Sequence, residues 1–312
     1  MLRLCASAVA QQYPTRPVTA IVPFAAGGPT DTTARILAQS LQANLKQPVI
    51  VESAPGAGGT IGSAKAARAN PDGYTLLVMH IGLATAPALY KKLPFDPVKD
   101  LEPIGQVSDN PMTLLARGNL PANNLKELLP FLKANRDKVT IANAGIGSAA
   151  HLCGLMFMSS IGIDLTTVAY KGTAPAMNDL LGGQVDLMCD QTTNTMGQIK
   201  GGKIRLIGVT SPKRLATLPE GQTLAEQGLP GFELGIWHGL FAPQGTPKPV
   251  LDRLAQALGA TVRDAAYAAR LAEFGAVAAT PAQATPDAMR AFLASEIAKW
   301  TPIIRKAGIY AD

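Results

Sequence analysis

Two glycine-rich turns are the parts of this sequence best suited to hold an anion. The first, Gly27-Gly28, follows an apolar segment, and the second covers residues 143–147. Each turn leads into an Ala- and Leu-rich segment that is predicted to be a helix. Glycine lets a ligand come close to the backbone, and the first N–H groups of a helix have no partner within it. Such a turn can therefore hold a carboxylate, a sulfate or a phosphate without a cationic side chain.

The two turns are stronger evidence together than separately. Either turn alone is equally well explained by helix packing, since helix starts in α/β proteins are often rich in glycine. In an open α/β sheet, however, the carboxyl ends of the strands face the crevice in which ligands bind. We therefore expect the turns to hold opposite ends of one small anion. Thr30 or Asp31 is predicted to cap the first helix, and Ser148 the second.

Other polar side chains stand at the ends of predicted strands. His80 ends one strand beside Ile81, and His151 lies in the first turn of the second helix. Either histidine has a binding role, as a hydrogen-bond donor to a carboxylate, or a structural one. Asp190 ends a further strand, before the polar residues 191–194 at a predicted sheet edge, and it could pair with a ligand ammonium or order water.

A further turn, which contains Tyr170, Gly172 and Thr173, also follows a predicted strand. Its hydroxyl and N–H groups either reach the ligand or belong to an ordinary loop. No set of residues has the spacing of a known catalytic or metal site: H-E-x-x-H, G-x-S-x-G and the zinc patterns are missing from the sequence. Residues 197–203 match a phosphate-binding loop by count, but Ile204 stands where Mg²⁺ needs Ser or Thr. We expect no enzyme activity, no cofactor and no metal.

The elements that position these turns follow one repeated order. A short apolar strand, a glycine-rich turn and a helix recur from residue 18 to residue 80, and the order starts again at residue 139. Strands that alternate with helices predict parallel pairing and an α/β fold. The last 60 or so residues are predicted to form three helices, with a short strand at residues 276–278 between the last two.

Two extended apolar runs without helical periodicity, residues 103–117 and 231–243, separate the series. They predict two crossings between two lobes, with residues 11–106 and 238–312 in domain 1 and residues 107–237 in domain 2. A double connection limits the lobes to opening and closing about a hinge, which suits capture of a ligand between them. The alternative is a single continuous sheet with long edge strands.

The composition excludes several classes of protein. Of the 312 residues 47% are apolar and 16% charged, which excludes a disordered chain. The sequence has no run of 18 apolar residues that would predict a membrane-spanning helix. The net charge is +6, but the basic residues are scattered, whereas a nucleic-acid binder concentrates them on one face. We therefore expect no nucleic-acid partner.

Residues 1–10, MLRLCASAVA, resemble the remnant of a secretory signal peptide, with Ala8 and Ala10 in the A-x-A spacing of a cleavage site. A disordered tail is the alternative. Removal of this segment would take Cys5 and leave Cys153 and Cys189. These two either form a disulfide or remain free and buried, because sequence alone does not give the distance between them.

Several motifs resemble the Bug family of periplasmic solute-binding proteins, also called tripartite tricarboxylate transporter receptors. The matching segments are Pro14-x-Arg16-Pro17, Val22-Pro23-Phe24-x-x-Gly27-Gly28-x-Thr30-Asp31, Pro55-Gly56-Ala57-Gly58-Gly59, Pro71-Asp72-Gly73-Tyr74-Thr75-Leu76, Pro94-Phe95-Asp96-Pro97-x-x-Asp100, Tyr170-Lys171-Gly172, Asp179-Leu180-x-Gly182-Gly183-x-Val185-Asp186 and Trp300. The resemblance runs from about residue 13 to the end. It implies a two-lobed periplasmic binding fold, the Venus flytrap, which closes around a ligand.

The resemblance also implies a function and a set of contacts. The expected ligand is a small carboxylate, with a dicarboxylate or an aromatic acid favoured, and the expected partners are the membrane permease subunits of a tripartite transporter. The protein is expected to act as a periplasmic monomer. The implied contacts are Phe24, Ala25, Ala26, Gly27, Gly28, Thr30 and Asp31 in one lobe, and Asn143, Ala144, Gly145, Ser148 and the turns after Tyr170 and Cys189 in the other. A ligand-sensing receptor that signals through a partner protein remains an alternative, and an α/β enzyme is a weaker one.

Overall fold

The computed structural model describes residues 13–308, 310 and 311. The predicted signal-peptide remnant, residues 1–10, and its Cys5 lie outside these residues. Tyr13 begins the described chain and donates a hydrogen bond from its hydroxyl to the carbonyl of Gly73 at 2.6 Å. This bond ties the start of the described chain to the turn before the third strand.

The first series of elements has the predicted order of strands and helices. It comprises β1 (Val18–Val22), α1 (Pro29–Leu45), β2 (Val49–Ser53), a 3-10 turn (Ala57–Gly59), α2 (Thr60–Ala67), β3 (Thr75–His80) and α3 (Gly82–Leu89). Pro29 suits the start of α1, because a first-turn residue needs no N–H donor. Leu37, Leu41 and Leu45 then recur every four residues and are buried against the sheet.

The second series begins with a strand of 17 residues. It comprises β4 (Leu101–Arg117), α4 (Leu125–Asn135), β5 (Thr140–Asn143), α5 (Ala149–Ile161), β6 (Thr166–Ala169), α6 (Thr173–Leu181), β7 (Leu187–Gln191), α7 (Thr192–Lys200) and β8 (Ile204–Val209). The chain ends with β9 (Gly235–Pro243), α8 (Lys248–Arg263), α9 (Ala265–Ala272), β10 (Val277–Ala278) and α10 (Pro286–Ala307). The three predicted C-terminal helices and the short strand between the last two are confirmed.

All ten strands of the described chain belong to one hydrogen-bonded sheet. Its order is β2-β1-β3-β9-β4-β7-β5-β6, and β10 and β8 also pair with β4. The pairs β1–β2, β1–β3, β5–β6 and β5–β7 are parallel, as the alternation of strands and helices predicts. The α/β fold class is therefore confirmed.

The long strand β4 changes partners along its length. It pairs with β9 from Leu101 to Pro111, and with β7 and β8 from Met112 to Arg117. The single-sheet alternative is thus right that the sheet is continuous, and wrong about the two extended runs, which are strands in the centre of the sheet and not at its edges. The division into domains at residues 107 and 237 stays a prediction.

The structure corrects the prediction for the surroundings of Asp190. Its strand, β7, lies between β4 and β5 and is not a sheet edge. The polar residues after it begin helix α7 at Thr192, which the sequence analysis did not predict. Three threonines and a glycine give this segment a low helix propensity, so its burial against neighbouring elements sustains the helix.

Cys153 and Cys189 form a disulfide, with their Cα atoms 6.0 Å apart. Both residues are fully buried. The bond joins the second turn of α5 to β7, directly before Asp190. No helix in the described part of the chain combines the length and the apolar character needed to cross a membrane.

Candidate ligand-binding site

Among the described residues, the starts of four helices meet at one small cavity with a volume of about 10 Å³. The helices are α1, α5, α6 and α7, and β3 adds the side chain at its end. The lining residues are Phe24, Pro29, Thr30, His80, Ala144, Ser148, Ala149, Ala150, Thr173, Asp190 and Gln191. Each helix start carries partial positive charge, so the arrangement favours an anion.

The N–H groups of the helix starts remain available. Within the described residues, no hydrogen bond to a protein atom engages the N–H groups of Thr30, Ala149 or Ala150. The buried Thr173 hydroxyl faces the Asp190 carboxyl, whose pKa it lowers, without a well-formed hydrogen bond in this part of the chain. A buried donor without a partner costs free energy, so a ligand that accepts from these groups gains affinity.

The first glycine turn is organised differently from the prediction. The N-cap of α1 is Gly28, so the predicted cap by Thr30 or Asp31 is wrong. The Asp31 carboxylate instead turns back, accepting the N–H of Gly27 at 3.0 Å and two bonds from Arg35 at 2.8 and 3.0 Å. The Gly28 N–H donates weakly to the Ala25 carbonyl at 3.4 Å. Asp31 thus neutralises the turn locally and does not line the cavity.

The second glycine turn has the predicted cap. Ser148 is the N-cap of α5, and its hydroxyl accepts the N–H of His151 at 3.2 Å. The turn itself is closed by internal bonds, from the Gly145 N–H to Asn143 Oδ1 at 2.9 Å and from the Gly147 N–H to His151 Nδ1 at 3.2 Å. The N–H groups without a hydrogen bond in the described chain are therefore those of Ala149 and Ala150, in the first turn of α5 and not in the glycine turn.

Several predicted site residues lie outside the cavity lining. They are Ala25, Ala26, Gly27, Gly28, Asp31, Ile81, Asn143, Gly145, His151, Tyr170 and Gly172. The Tyr170 hydroxyl donates to Asp179 Oδ2 at 2.5 Å, and burial together with this bond raises its pKa to about 12. Gly172, with φ +151°, packs its Cα against Ala25, where an added Cβ would lie 2.8 Å from the Ala25 nitrogen.

The histidines near the cavity are uncharged at neutral pH. Burial lowers the pKa of His80 far below its usual range, and the neighbouring His238 lowers it further. His80 Nδ1 accepts the Gly82 N–H at 2.9 Å, and its ring stacks on Phe24 with 4.8 Å between centroids. Burial also lowers the pKa of His151 to about 4. Since no Lys or Arg is among the lining residues of the described chain, uncharged donors must supply the attraction for an anion.

Asp190 is the carboxyl group of the cavity wall and is almost fully buried. Burial raises its pKa to about 7, although its oxygens accept hydrogen bonds from Asn194 Nδ2 at 2.5 Å and the Gln191 N–H at 2.8 Å. The carboxyl therefore keeps its proton to a higher pH than an ordinary aspartate does. Its charge state decides whether it donates a proton to a ligand or repels an anion.

The model of the "Tripartite tricarboxylate transporter family receptor" family matches residues 33–309. The chain belongs to this family. The resemblance seen in the sequence motifs is thus confirmed.

Solved structures of related proteins agree with this assignment. The structure named periplasmic binding protein BugD is 53% identical, with a TM-score of 0.93, and the match covers 96% of this chain and 99% of that one. MatC from Rhodopseudomonas palustris with bound malate is 38% identical, with a TM-score of 0.89 and coverage of 94% and 100%. Another R. palustris protein, solved with adipate, is 31% identical, with a TM-score of 0.90 and coverage of 96% and 99%.

Four lining residues of this receptor were missed from its sequence: Pro29, Ala149, Ala150 and Gln191. The first three belong to first helical turns directly after the predicted glycine turns. The signal that could have found them is the position of a helix start, because residues of a first helical turn face the cavity whatever their side chains. Gln191 was missed because α7 was not recognised as a helix.

The receptor's third glycine motif, residues 55–59, has a different environment. It lies against residues 145–147, so closely that a Cβ on Gly58 would overlap the carbonyl of Ile146. The Tyr90 hydroxyl lies between the two segments, at 2.7 Å from the Ala57 carbonyl and 2.9 Å from the Ile146 carbonyl. These glycines permit a close approach of two backbones and are not part of the cavity.

Proposed function

We propose that this receptor captures a small organic carboxylate in the periplasm by closing two lobes around it, and presents it to the permease subunits of a tripartite transporter. The observation that carries the proposal is the convergence of the helix starts of α1, α5, α6 and α7 on one cavity. The open N–H groups of Thr30, Ala149 and Ala150 provide donors for an anion.

The course of the chain supports closure about a hinge. In the proposed division, residues 11–106 and 238–312 form one lobe and contribute α1 and β3 to the cavity. Residues 107–237 form the other lobe and contribute α5, α6 and α7. The strands β4 and β9 connect the two parts and pair with each other, so a small change in their twist would open or close the cavity between the lobes.

A dicarboxylate is the favoured ligand. Helix starts from both proposed lobes can each bind one carboxylate, and two related receptors were solved with the dicarboxylates malate and adipate. Micromolar affinity needs about −8 kcal/mol. Hydrogen bonds to a charged group contribute about 1.5–3 kcal/mol each, so a handful of N–H donors is sufficient even after the costs of ordering.

In the proposed role the receptor acts as a monomer, and the ligand undergoes no chemical change. The residues around the cavity include no activated nucleophile: Ser148 is held as a helix cap, and His151 Nδ1 accepts a backbone N–H. Cys153 and Cys189 are joined to each other. Binding and release are the activities that these groups support.

Isothermal titration calorimetry tests the proposal. We expect tight binding of at least one member of a panel that includes malate, succinate, adipate and aromatic acids, and no binding of the matched dimethyl esters, which lack charge. Small-angle scattering should show one chain per particle and a smaller radius of gyration with ligand. No heat with any acid, or equal binding of acids and esters, would refute anion capture by the helix starts.

A further inference from the structure

Asn110 is a buried polar residue that does not line the cavity but forms hydrogen bonds to two of the elements around it, α1 and the start of α7. It lies on β4, two residues before Met112, where the strand changes partners from β9 to β7 and β8. Its side chain is fully buried. Its amide nitrogen is hydrogen-bonded, whereas its Oδ1 is buried without a partner among the described residues.

The side-chain amide of Asn110 donates in two directions. Its Nδ2 lies 3.0 Å from Thr33 Oγ1 and 3.1 Å from Gln191 Oε1. A side-chain amide nitrogen carries two N–H donors, so each contact receives one hydrogen. The partners are 77 and 81 positions away along the chain, and they lie on different sides of the cavity.

Both partners are close to the N–H groups that face the cavity. Thr33 is on α1, one turn after Thr30, and it is fully buried. Gln191 is the N-cap of α7 and lines the cavity itself. One amide in the connecting strand therefore holds the start of α1 and the start of α7 at a fixed separation.

We propose that Asn110 is a positioning residue for ligand capture, which rests on the proposed function. Its amide favours the arrangement in which the starts of α1 and α7 face one another, and the ligand itself makes no contact with it. Without this amide, Thr33 Oγ1 and the side-chain oxygen of Gln191 lose a buried donor. The arrangement in which the two helix starts face each other is then less populated. The apparent affinity falls in proportion to the fraction of receptor that is competent to bind.

The test compares Asn110→Leu, which keeps the branching at Cγ and removes the amide, with the matched control Asn44→Leu. The amide of Asn44 also donates twice, to the Ser40 carbonyl at 3.1 Å and to Thr261 Oγ1 at 3.2 Å, but it joins α1 to α8 away from the cavity. Calorimetry with malate and adipate measures affinity. Hydrogen exchange without ligand measures the opening of residues 30–34 and 191–195.

We expect Asn110→Leu to bind about tenfold more weakly, which corresponds to about 1.4 kcal/mol. Hydrogen exchange should be faster in both segments of this variant. Asn44→Leu should bind like the wild type. If Asn110→Leu does not fold, Thr33→Val removes one of the two contacts with little change in volume and should weaken binding about threefold.

The outcomes separate this inference from the proposed function. Wild-type affinity together with unchanged exchange in Asn110→Leu would overturn the positioning role, while binding by the wild type would leave the function intact. An equal loss of affinity in Asn44→Leu would also overturn it, since any side-chain amide that joins two elements would then have the same effect. If the wild type binds none of the acids, the function fails, and the exchange measurement still decides whether Asn110 holds the two helix starts together.

Discussion

A single methyl group at Gly58 should hinder closure without touching the ligand cavity. The Cβ of Gly58→Ala would overlap the Ile146 carbonyl and lie 2.9 Å from the Tyr90 hydroxyl. Nonbonded heavy atoms need about 3.5 Å, so the two backbones must separate by roughly 1 Å or more. That movement breaks the 2.9 Å bond from Tyr90 to Ile146 and the 3.4 Å contact from Thr85 Oγ1 to the Gly147 carbonyl.

The loss of two hydrogen bonds at about 1 kcal/mol each predicts an affinity about 30-fold lower. Gly202→Ala is the matched control, because Gly202 has nearly the same backbone angle, φ +64° against +60°, with no atom within 4 Å of an added Cβ. Both variants have the same left-handed backbone cost of about 1–2 kcal/mol, so both should be less stable to heat. Calorimetry with the dicarboxylate that binds best measures the difference. Affinities within twofold of each other would refute the idea that this contact belongs to the binding-competent form.

Three further changes give separate tests. Cys153→Ala combined with Cys189→Ala should lower the free energy of unfolding by about 4 kcal/mol, because closing a loop of 36 residues removes about 13 cal/mol/K of chain entropy from the unfolded state. Urea denaturation of this variant and of the oxidised wild type measures the difference. Equal stability would contradict the prediction. The pKa of Asp190 is raised to about 7 from an ordinary 3.8, so between these values the folded chain holds a proton that the unfolded chain releases. The free energy of unfolding should therefore fall by on the order of 4 kcal/mol between pH 4 and pH 7. Asp190→Asn should remove that part of the pH dependence in denaturant titrations, and a variant with the wild-type pH profile would disprove the shift. Tyr90→Phe should weaken dicarboxylate binding threefold to tenfold by calorimetry, and unchanged affinity would show that its hydroxyl does not stabilise closure.

Much of the fold was accessible from the sequence because local signals agreed with tertiary structure. The helices α8 and α10 have strong apolar periodicity, and prolines mark their first turns. The parallel strands β1 and β3 are short apolar runs followed by turns. Helix α7 was missed, since its threonines and its glycine favour other conformations and only burial holds the helix.

The site was predictable in outline and not in detail. The helix starts were located through their glycines, yet the N–H of Gly27 donates to Asp31 and that of Gly145 to Asn143. These partners are close in sequence, but whether a polar side chain turns toward its own turn or toward a ligand depends on the tertiary surroundings. The role of Gly58 depends on a contact with Ile146, which is far away along the chain.

No Lys or Arg lines the cavity within the described chain, which has a consequence for ligand release in the proposed function. A guanidinium or ammonium group would keep its full charge whatever the position of the rest of the protein, and it would keep attracting an acid after the halves had parted. Peptide dipoles act only over the nearest turn, and a single exposed helix end contributes about 0.3–1 kcal/mol. Under the proposed function, neither lobe would retain enough attraction after opening to keep the acid from water, so the transporter would have no counter-ion to displace.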